Sequence, residues 1–192
     1  EILDDRHQVM PQTSYGTQKA IGELLINDYS RKGFLDGRAL RFPTVVVRPG
    51  KPNKAASTFA SSIIREPLQG ERAVCPVSDD TPMWLASPRS VVENLIRAHD
   101  RPAADFGPSR ALAIPGFSTP VGEMVEALKR VAGNNVAALI DWRPNPEIEK
   151  IVYGWPARLD PARARALDMV ADETMDAVIQ AFIEDDLDPA FR

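Results

Sequence analysis

Apolar residues recur along this chain with two periods. From 12 to 32 they fall at Ile21, Leu24 and Leu25, with Asp28 next in step, and Thr13 or Ser14 stands where a helix needs a cap. Gly33 follows, so the spacing predicts a helix over 12–32. Arg38–Val47 is a nearly continuous apolar run ending in Val45-Val46-Val47, as in a strand buried on both faces, and Arg48-Pro49-Gly50-Lys51-Pro52-Asn53 breaks it. A short helix is predicted over Ser57–Leu68, with Ser57 as its cap. Short strands are predicted over Arg72–Val77 and Met83–Ser87. Ser90–Asp100 is predicted as a helix with Val91, Val92, Leu95 and Ile96 on one face.

Arg110–Ile114 reads as a strand closed by Pro115-Gly116. Thr119–Gly133 reads as a helix with Thr119 as cap, Pro120 at the first position and Gly133 as the stop. A strand is expected over Val136–Asp141 and a helix over Pro146–Tyr153. Further helices are expected over Asp160–Leu167 and Asp172–Glu184, each opened by an Asp that suits a helix N-terminus. Strands alternating with helices give an α/β fold.

Composition narrows the function classes. The formal net charge of −4 carries no footprint for nucleic acid or an anionic membrane. No apolar run is long enough to span a bilayer. His7 and His99 are too few and too far apart for an ordinary zinc site. The single cysteine, Cys75, rules out an internal disulfide, fits a reducing cytoplasm and, set in an apolar strand, reads as buried and inert. Glu1-Ile2-Leu3-Asp4-Asp5 runs straight into Met10-Pro11 without an initiator Met. It reads as the middle of a domain, and this predicts further chain upstream.

Candidate chemistry begins at Ser14-Tyr15-Gly16-Thr17-Gln18-Lys19. Tyr15 and Lys19, four apart, share one helix face. A free phenol is a poor base at neutral pH, with a pKa of about 10, and a cation held beside it favours the phenolate. Such a pair can take the proton of an alcohol while hydride leaves its carbon. The competing reading is a surface pair worth a few tenths of a kcal/mol. Tyr29 and Tyr153 have no Lys four residues on. The glycines are never close enough together for G-x-G-x-x-G or G-x-x-G-x-x-G. Either no dinucleotide binds, or its phosphate-binding turn lies upstream of Glu1.

The order of segments resembles the second half of an extended short-chain dehydrogenase/reductase, the group of nucleotide-sugar epimerases and dehydratases. The resemblance rests on Ser14–Lys19, Gly22-Glu23 and Ala39–Val45, then on Arg110–Gly116 and Pro156–Ala164, and it covers essentially the whole chain. Ser14–Leu25, Arg48–Asn53, Ile64–Leu68, Ala73–Val77 and Ala181–Asp185 resemble one branch more than the others, that of D-erythronate dehydrogenase and its homologues. Two features depart from the group. Trp84-Leu85-Ala86-Ser87-Pro88-Arg89 stands where most members carry an Asp-rich signature that shapes a nucleotide-sugar site. The catalytic Ser/Thr expected before the Tyr is not in the chain, and Ser14, adjacent to Tyr15, is not its counterpart.

The resemblance implies the C-terminal part of a Rossmann-type, doubly wound parallel sheet plus a smaller α/β substrate-binding lobe. Residues 1–50 and 84–115 would complete the sheet; 51–83 and 116–192 would form the lobe. It implies Tyr15 as general base, Lys19 as its activator and a ligand of the nicotinamide ribose, and Pro43 and Thr44 beside the carboxamide. Pro43 has no N–H, so contact there would use a carbonyl or a neighbour's N–H. The cofactor would be NAD, with NADP also open. Arg48, Lys51 and Asn53 would hang over the site, with Arg65 and Arg89 as competing carboxylate anchors; for each Arg the alternative is a solvated or ion-paired surface residue. Trp84 would wall the pocket or pack in the core. The substrate would be a small sugar acid, the assembly a homodimer through the helix of Tyr15, and the compartment the cytoplasm. A nucleotide-sugar epimerase or dehydratase and a non-catalytic dinucleotide sensor of the same fold are the other readings.

Overall fold

The computed structural model describes residues 2–53 and 55–191. Strand β1 (Leu3–Asp4) precedes α1 (Ser14–Arg31), where Thr13 Oγ1 accepts from the Gly16 amide and caps the helix. The expected single strand over 38–47 is two: β2 (Ala39–Arg41) and β3 (Thr44–Val45). Phe42-Pro43 separates them, because Pro43 cannot donate to a ladder. Then come α2 (Thr58–Leu68), β4 (Ala73–Cys75), β5 (Pro82–Ala86), α3 (Pro88–Asp100), β6 (Ala111–Ala113), β7 (Phe117–Pro120) and α4 (Val121–Ala132). The chain closes with α5 (Asn134–Ala137), β8 (Ile140–Trp142), α6 (Pro146–Val152), β9 (Leu159–Asp160), α7 (Ala162–Ala166) and α8 (Met175–Asp185).

Several caps differ from expectation. Thr119 lies in β7, opposite Met83 of β5, and Pro120 is the residue that precedes α4. Ser57 stands before α2 but makes no side-chain cap bond. Asn134–Ala137 forms a helical turn after Gly133 (φ 92°), so the strand expected from 136 begins only at Ile140. Thr174, not Asp172, caps α8. Asp172 instead accepts from the Ser87 amide (2.7 Å), Ser87 Oγ (2.6 Å) and Ser90 Oγ (2.7 Å), tying the start of α3 to the segment before α8.

The strand pairs β1–β9, β2–β6, β3–β5 and β4–β8 are parallel, and β5–β7 is antiparallel. Parallel pairs joined through helices make the fold α/β, as the alternation predicts. Two apolar clusters form. One gathers Val46, Ile63, Leu85, Met124, Leu128 and Ile179, with neighbours from α2, α4 and α8. The other gathers Ala86, Val91, Leu112, Ile114, Ala164 and Met169. Alternation along β5 sends Leu85 to the first and Ala86 to the second. The expected boundary between 83 and 84 falls inside this strand.

Two helices show apolar faces that the described residues leave uncovered. On α1, Ile21, Leu24 and Leu25 are exposed, Leu24 at 69%. On α3, the expected apolar face is not the buried one. Ser90, Val91, Asn94 and Ala98 face inward, while Val92, Leu95 and Ile96 are exposed. Asn94 earns its buried place by exchanging two 2.8 Å hydrogen bonds with the backbone of Val170. Among the described residues no helix is long and apolar enough to cross a membrane.

Candidate active site

Helix α1 carries Tyr15 in its first turn and Lys19 one turn on. The Lys19 ammonium lies over the Tyr15 ring, 5.3 Å from its centroid, a cation–π distance. Both side chains are exposed, the Tyr15 ring at 70%. Glu23 continues the same face. It takes a two-pronged grip from Arg41, with Nε to Oε1 at 2.8 Å and Nη2 to Oε2 at 2.6 Å. This pair ties the Tyr15 helix to the end of β2, immediately before Phe42-Pro43-Thr44. The spacing of Tyr15 and Lys19 is the signal in the sequence; that Glu23, one turn further on, would be gripped by Arg41 is not visible there.

Beyond Arg41 the strand end opens on a cavity of about 550 Å³. Met10 and Pro11, just before α1, line it together with Phe42, Pro43 and Trp84; Tyr15 and Lys19 do not. Pro43 is buried and Thr44 partly so. Trp84 is partly buried, and its indole N–H is enclosed without an acceptor. Gly116 makes the fit close: a Cβ there would lie 2.5 Å from the Leu85 carbonyl oxygen, 2.8 Å from Pro43 Cγ and 3.1 Å from Trp84 Cε2. Phe42, Pro43 and Trp84 give one side of this cavity apolar walls against which a planar ring such as nicotinamide could pack, while Asp4, Asp5, Asp160 and Arg163 line the rest.

The loop from Arg48 to Asn53 is held by its backbone. The Arg48 amide donates to Ser61 Oγ (3.2 Å), and its carbonyl accepts from Arg65 Nη1 (2.7 Å). The Arg48 and Lys51 side chains are exposed. Asn53 Oδ1 accepts from the Ala55 amide (2.8 Å) and Thr58 Oγ1 (2.6 Å), which closes the turn into α2. Asn53 lines a different cavity, of about 710 Å³. Of the two competing anchors, Arg65 is only 4% exposed and is engaged by the Arg48 carbonyl and Glu66. Arg89 is gripped by Asp185 (2.9 and 2.8 Å) and Glu184 (2.8 Å), which raise its guanidinium further above its ordinary value. Cys75 is fully buried; its Sγ lies 3.6 Å from the Val77 carbonyl, and burial pushes the thiol up to about 11.

The structure thus gathers Pro11, Pro43 and Trp84 around one cavity, braces the Tyr15–Lys19 helix against the same strand end, and sets Asn53 and Arg89 apart from it. Glu66 was missed, since a carboxylate beside an Arg in a helix looks like surface in sequence.

No family model matches the chain. It is 51% identical over 184 residues to the D-erythronate dehydrogenase of Cupriavidus necator, covering 96% of this chain and 57% of the relative. It is 49% identical over 187 residues to the D-erythronate dehydrogenase of Haemophilus influenzae, covering 97% and 59%. The crystal structure of the nucleoside-diphosphate-sugar epimerase from Agrobacterium tumefaciens matches with a TM-score of 0.95 and 47% identity, covering all of this chain and 56% of that one. The chain therefore spans a little over half the length of the curated relatives it matches. Over nearly its whole length it is homologous to these proteins, in agreement with the expected kinship to the epimerase/dehydratase group and its Rossmann-like fold.

Proposed function

We propose that this chain is part of a dehydrogenase that uses NAD to oxidise a hydroxyl next to a carboxylate, turning D-erythronate into 2-dehydro-D-erythronate. The observation that carries the reading is the 51% identity, over 96% of the chain, to a protein named D-erythronate dehydrogenase. Because the chain spans 57% of that relative, the activity is assigned to the whole protein.

Tyr15 takes the proton of the substrate hydroxyl. The Lys19 ammonium, 5.3 Å from the ring centroid, offsets the negative charge that the phenol oxygen then carries. Arg41 and Glu23 keep this helix in register with Pro43 and Thr44, which would lie along the nicotinamide, with Lys19 on the adjoining ribose. When bound, the nicotinamide supplies the acceptor for the hydride that leaves C2. Arg48 and Lys51 present exposed cations for the substrate carboxylate, and Asn53 holds the loop's far end. Arg89 serves the substrate only if it leaves Asp185 and Glu184. Residues 1–50 and 84–115 are assigned to the cofactor side, 51–83 and 116–192 to the substrate lobe. The exposed Ile21, Leu24 and Leu25 of α1 offer an apolar face for a homodimer.

The name of the Agrobacterium structure supports a second reading, nucleotide-sugar epimerisation. The full-length protein with NAD should form NADH from D-erythronate, and UDP-sugars should neither bind nor turn over. Micromolar binding of UDP-sugars with no oxidation of erythronate replaces the first reading by the second.

A further inference from the structure

The peptide between Ala86 and Ser87, at the end of β5, is held from both sides. Its carbonyl accepts from the Val46 amide at 2.9 Å, on the β3 side. In a trans peptide the N–H points the opposite way, and β5 has β7 as its other neighbour. The β5–β7 ladder has already stopped, at Leu85 and Phe117. Asp172 Oδ2 takes the bond that β7 no longer supplies, at 2.7 Å from the Ser87 nitrogen. The same carboxylate accepts from Ser87 Oγ (2.6 Å) and Ser90 Oγ (2.7 Å). Ser87 is fully buried, so its N–H has no water to turn to.

This clamp lies next to the wall of the candidate cofactor cavity. Thr44 pairs with Leu85 and Val45 with Ala86, and Val46 follows directly. Pro43, one residue before β3, lines the cavity with Trp84, three residues before Ser87. Without Asp172 the Ser87 N–H is left buried and unpaired. The end of β5 then has to shift toward another acceptor, and the partner of Val46 shifts with it. Displacements of about 1 Å remote from the chemistry can cost on the order of 10²-fold. Two residues earlier, Val170 exchanges bonds with Asn94, which hold α3 and reach no strand.

We infer that Asp172 is a positioning residue for the nicotinamide side of the site: it fixes the Ala86–Ser87 peptide, and through the Val46 bond it holds Pro43 and Thr44 in place. The inference rests on the NAD-dependent dehydrogenase reading.

The test uses the full-length protein and two readouts: NAD affinity by calorimetry, and amide exchange of Val46 by NMR without NAD. Asp172→Ala should weaken NAD about tenfold and speed the exchange of Val46. Asp172→Asn keeps one oxygen for the Ser87 amide, so it should bind NAD within about threefold of the wild type. Asn94→Ala removes the Val170 bonds and lowers stability, yet should leave NAD affinity unchanged, which separates positioning from a general loss of stability. If Asp172→Ala does not fold, Asp172→Ser, whose side chain is one bond shorter than Asp, is measured with the same expectation. The inference is overturned if the folded Asp172 variant binds NAD like the wild type, if Asn94→Ala weakens NAD as much, or if Asp172→Asn loses as much as Asp172→Ala. Weaker NAD binding with Val46 exchange unchanged overturns it too. A wild type that binds no NAD sinks the dehydrogenase reading and this inference with it; a wild type that binds NAD beside an indifferent Asp172→Ala leaves that reading standing.

Discussion

Replacing Gly116 by Ala should destabilise the protein and damage the candidate cofactor pocket together. The added Cβ would stand 2.5 Å from the Leu85 carbonyl oxygen and 2.8 Å from Pro43 Cγ. The first neighbour is backbone in β5, paired on one side with β3 and on the other with β7, so it has little room to yield. Overpacking of this kind costs about 1–3 kcal/mol. Loss of glycine freedom in the unfolded chain offsets about 0.4–1 kcal/mol of that. A 2.5 Å approach to backbone calls for the upper end of that cost, so the net is a destabilisation of about 2 kcal/mol, or a fall in Tm of about 4–8 °C for a chain of this size. Urea unfolding and calorimetry read the stability; NAD titration reads the pocket through Pro43 and Trp84. Gly22 is the control. It lies inside α1 with nothing within 4 Å of a new Cβ, so Gly22→Ala should stabilise by about 0.5–1 kcal/mol. If Gly116→Ala is neutral or stabilising, the close fit between Gly116, Leu85 and Pro43 is not what keeps a glycine there.

Tyr15→Phe should lower kcat by about 10²–10⁴ while unfolding stability stays put, since the ring is 70% exposed; near-normal turnover removes Tyr15 from the chemistry. Arg48→Met should reduce kcat/KM for D-erythronate by a few kcal/mol, measured by initial rates, with Tm unchanged because the side chain is exposed. Cys75 predicts an alkaline weakness. Its thiol has an ordinary value of 9.0 and is raised to about 11 by burial, so the unfolded chain loses this proton first. The group's contribution is intact below about pH 9 and is lost as pH rises toward 11, at up to about 1.4 kcal/mol per pH unit. Denaturant unfolding at pH 8 and pH 10.5 should show a steeper loss for the wild type than for Cys75→Ala; equal slopes refute the assignment.

Helices with both a cap and a stop were legible. Thr13 and Gly33 bracket α1 in sequence as they do in space. The misreadings came where local signals were ambiguous. Thr119-Pro120 has the chemistry of a helix start, but pairing with β5 claims Thr119 first. Val136-Ala137 is too short an apolar run to tell strand from helical turn. Val92, Leu95 and Ile96 look like a core face of α3, yet the buried side is set by Asn94 bonding Val170, a contact 76 residues away. At the candidate site, Tyr15 and Lys19 could be found because their partnership is local. The Arg41–Glu23 brace, the engagement of Arg89 by Asp185 and the half-satisfied Glu66 depend on tertiary neighbours and leave no mark in local spacing.

The alternation in β5 has a mechanical consequence. Leu85 and Ala86, adjacent residues on one strand, are set in different apolar clusters, and the end of β3 does the same, with Val45 packing on one cluster and the next residue, Val46, in the other. The two clusters therefore share a party wall and cannot swing apart like leaves on a hinge, because opening at that line would tear the ladder between Thr44–Val45 and Leu85–Ala86. They should melt in a single calorimetric transition, with the amides of Val46 and Ala86 among the slowest to exchange, and a chain divided at residue 84 would yield two pieces that each lack a side of their own interior.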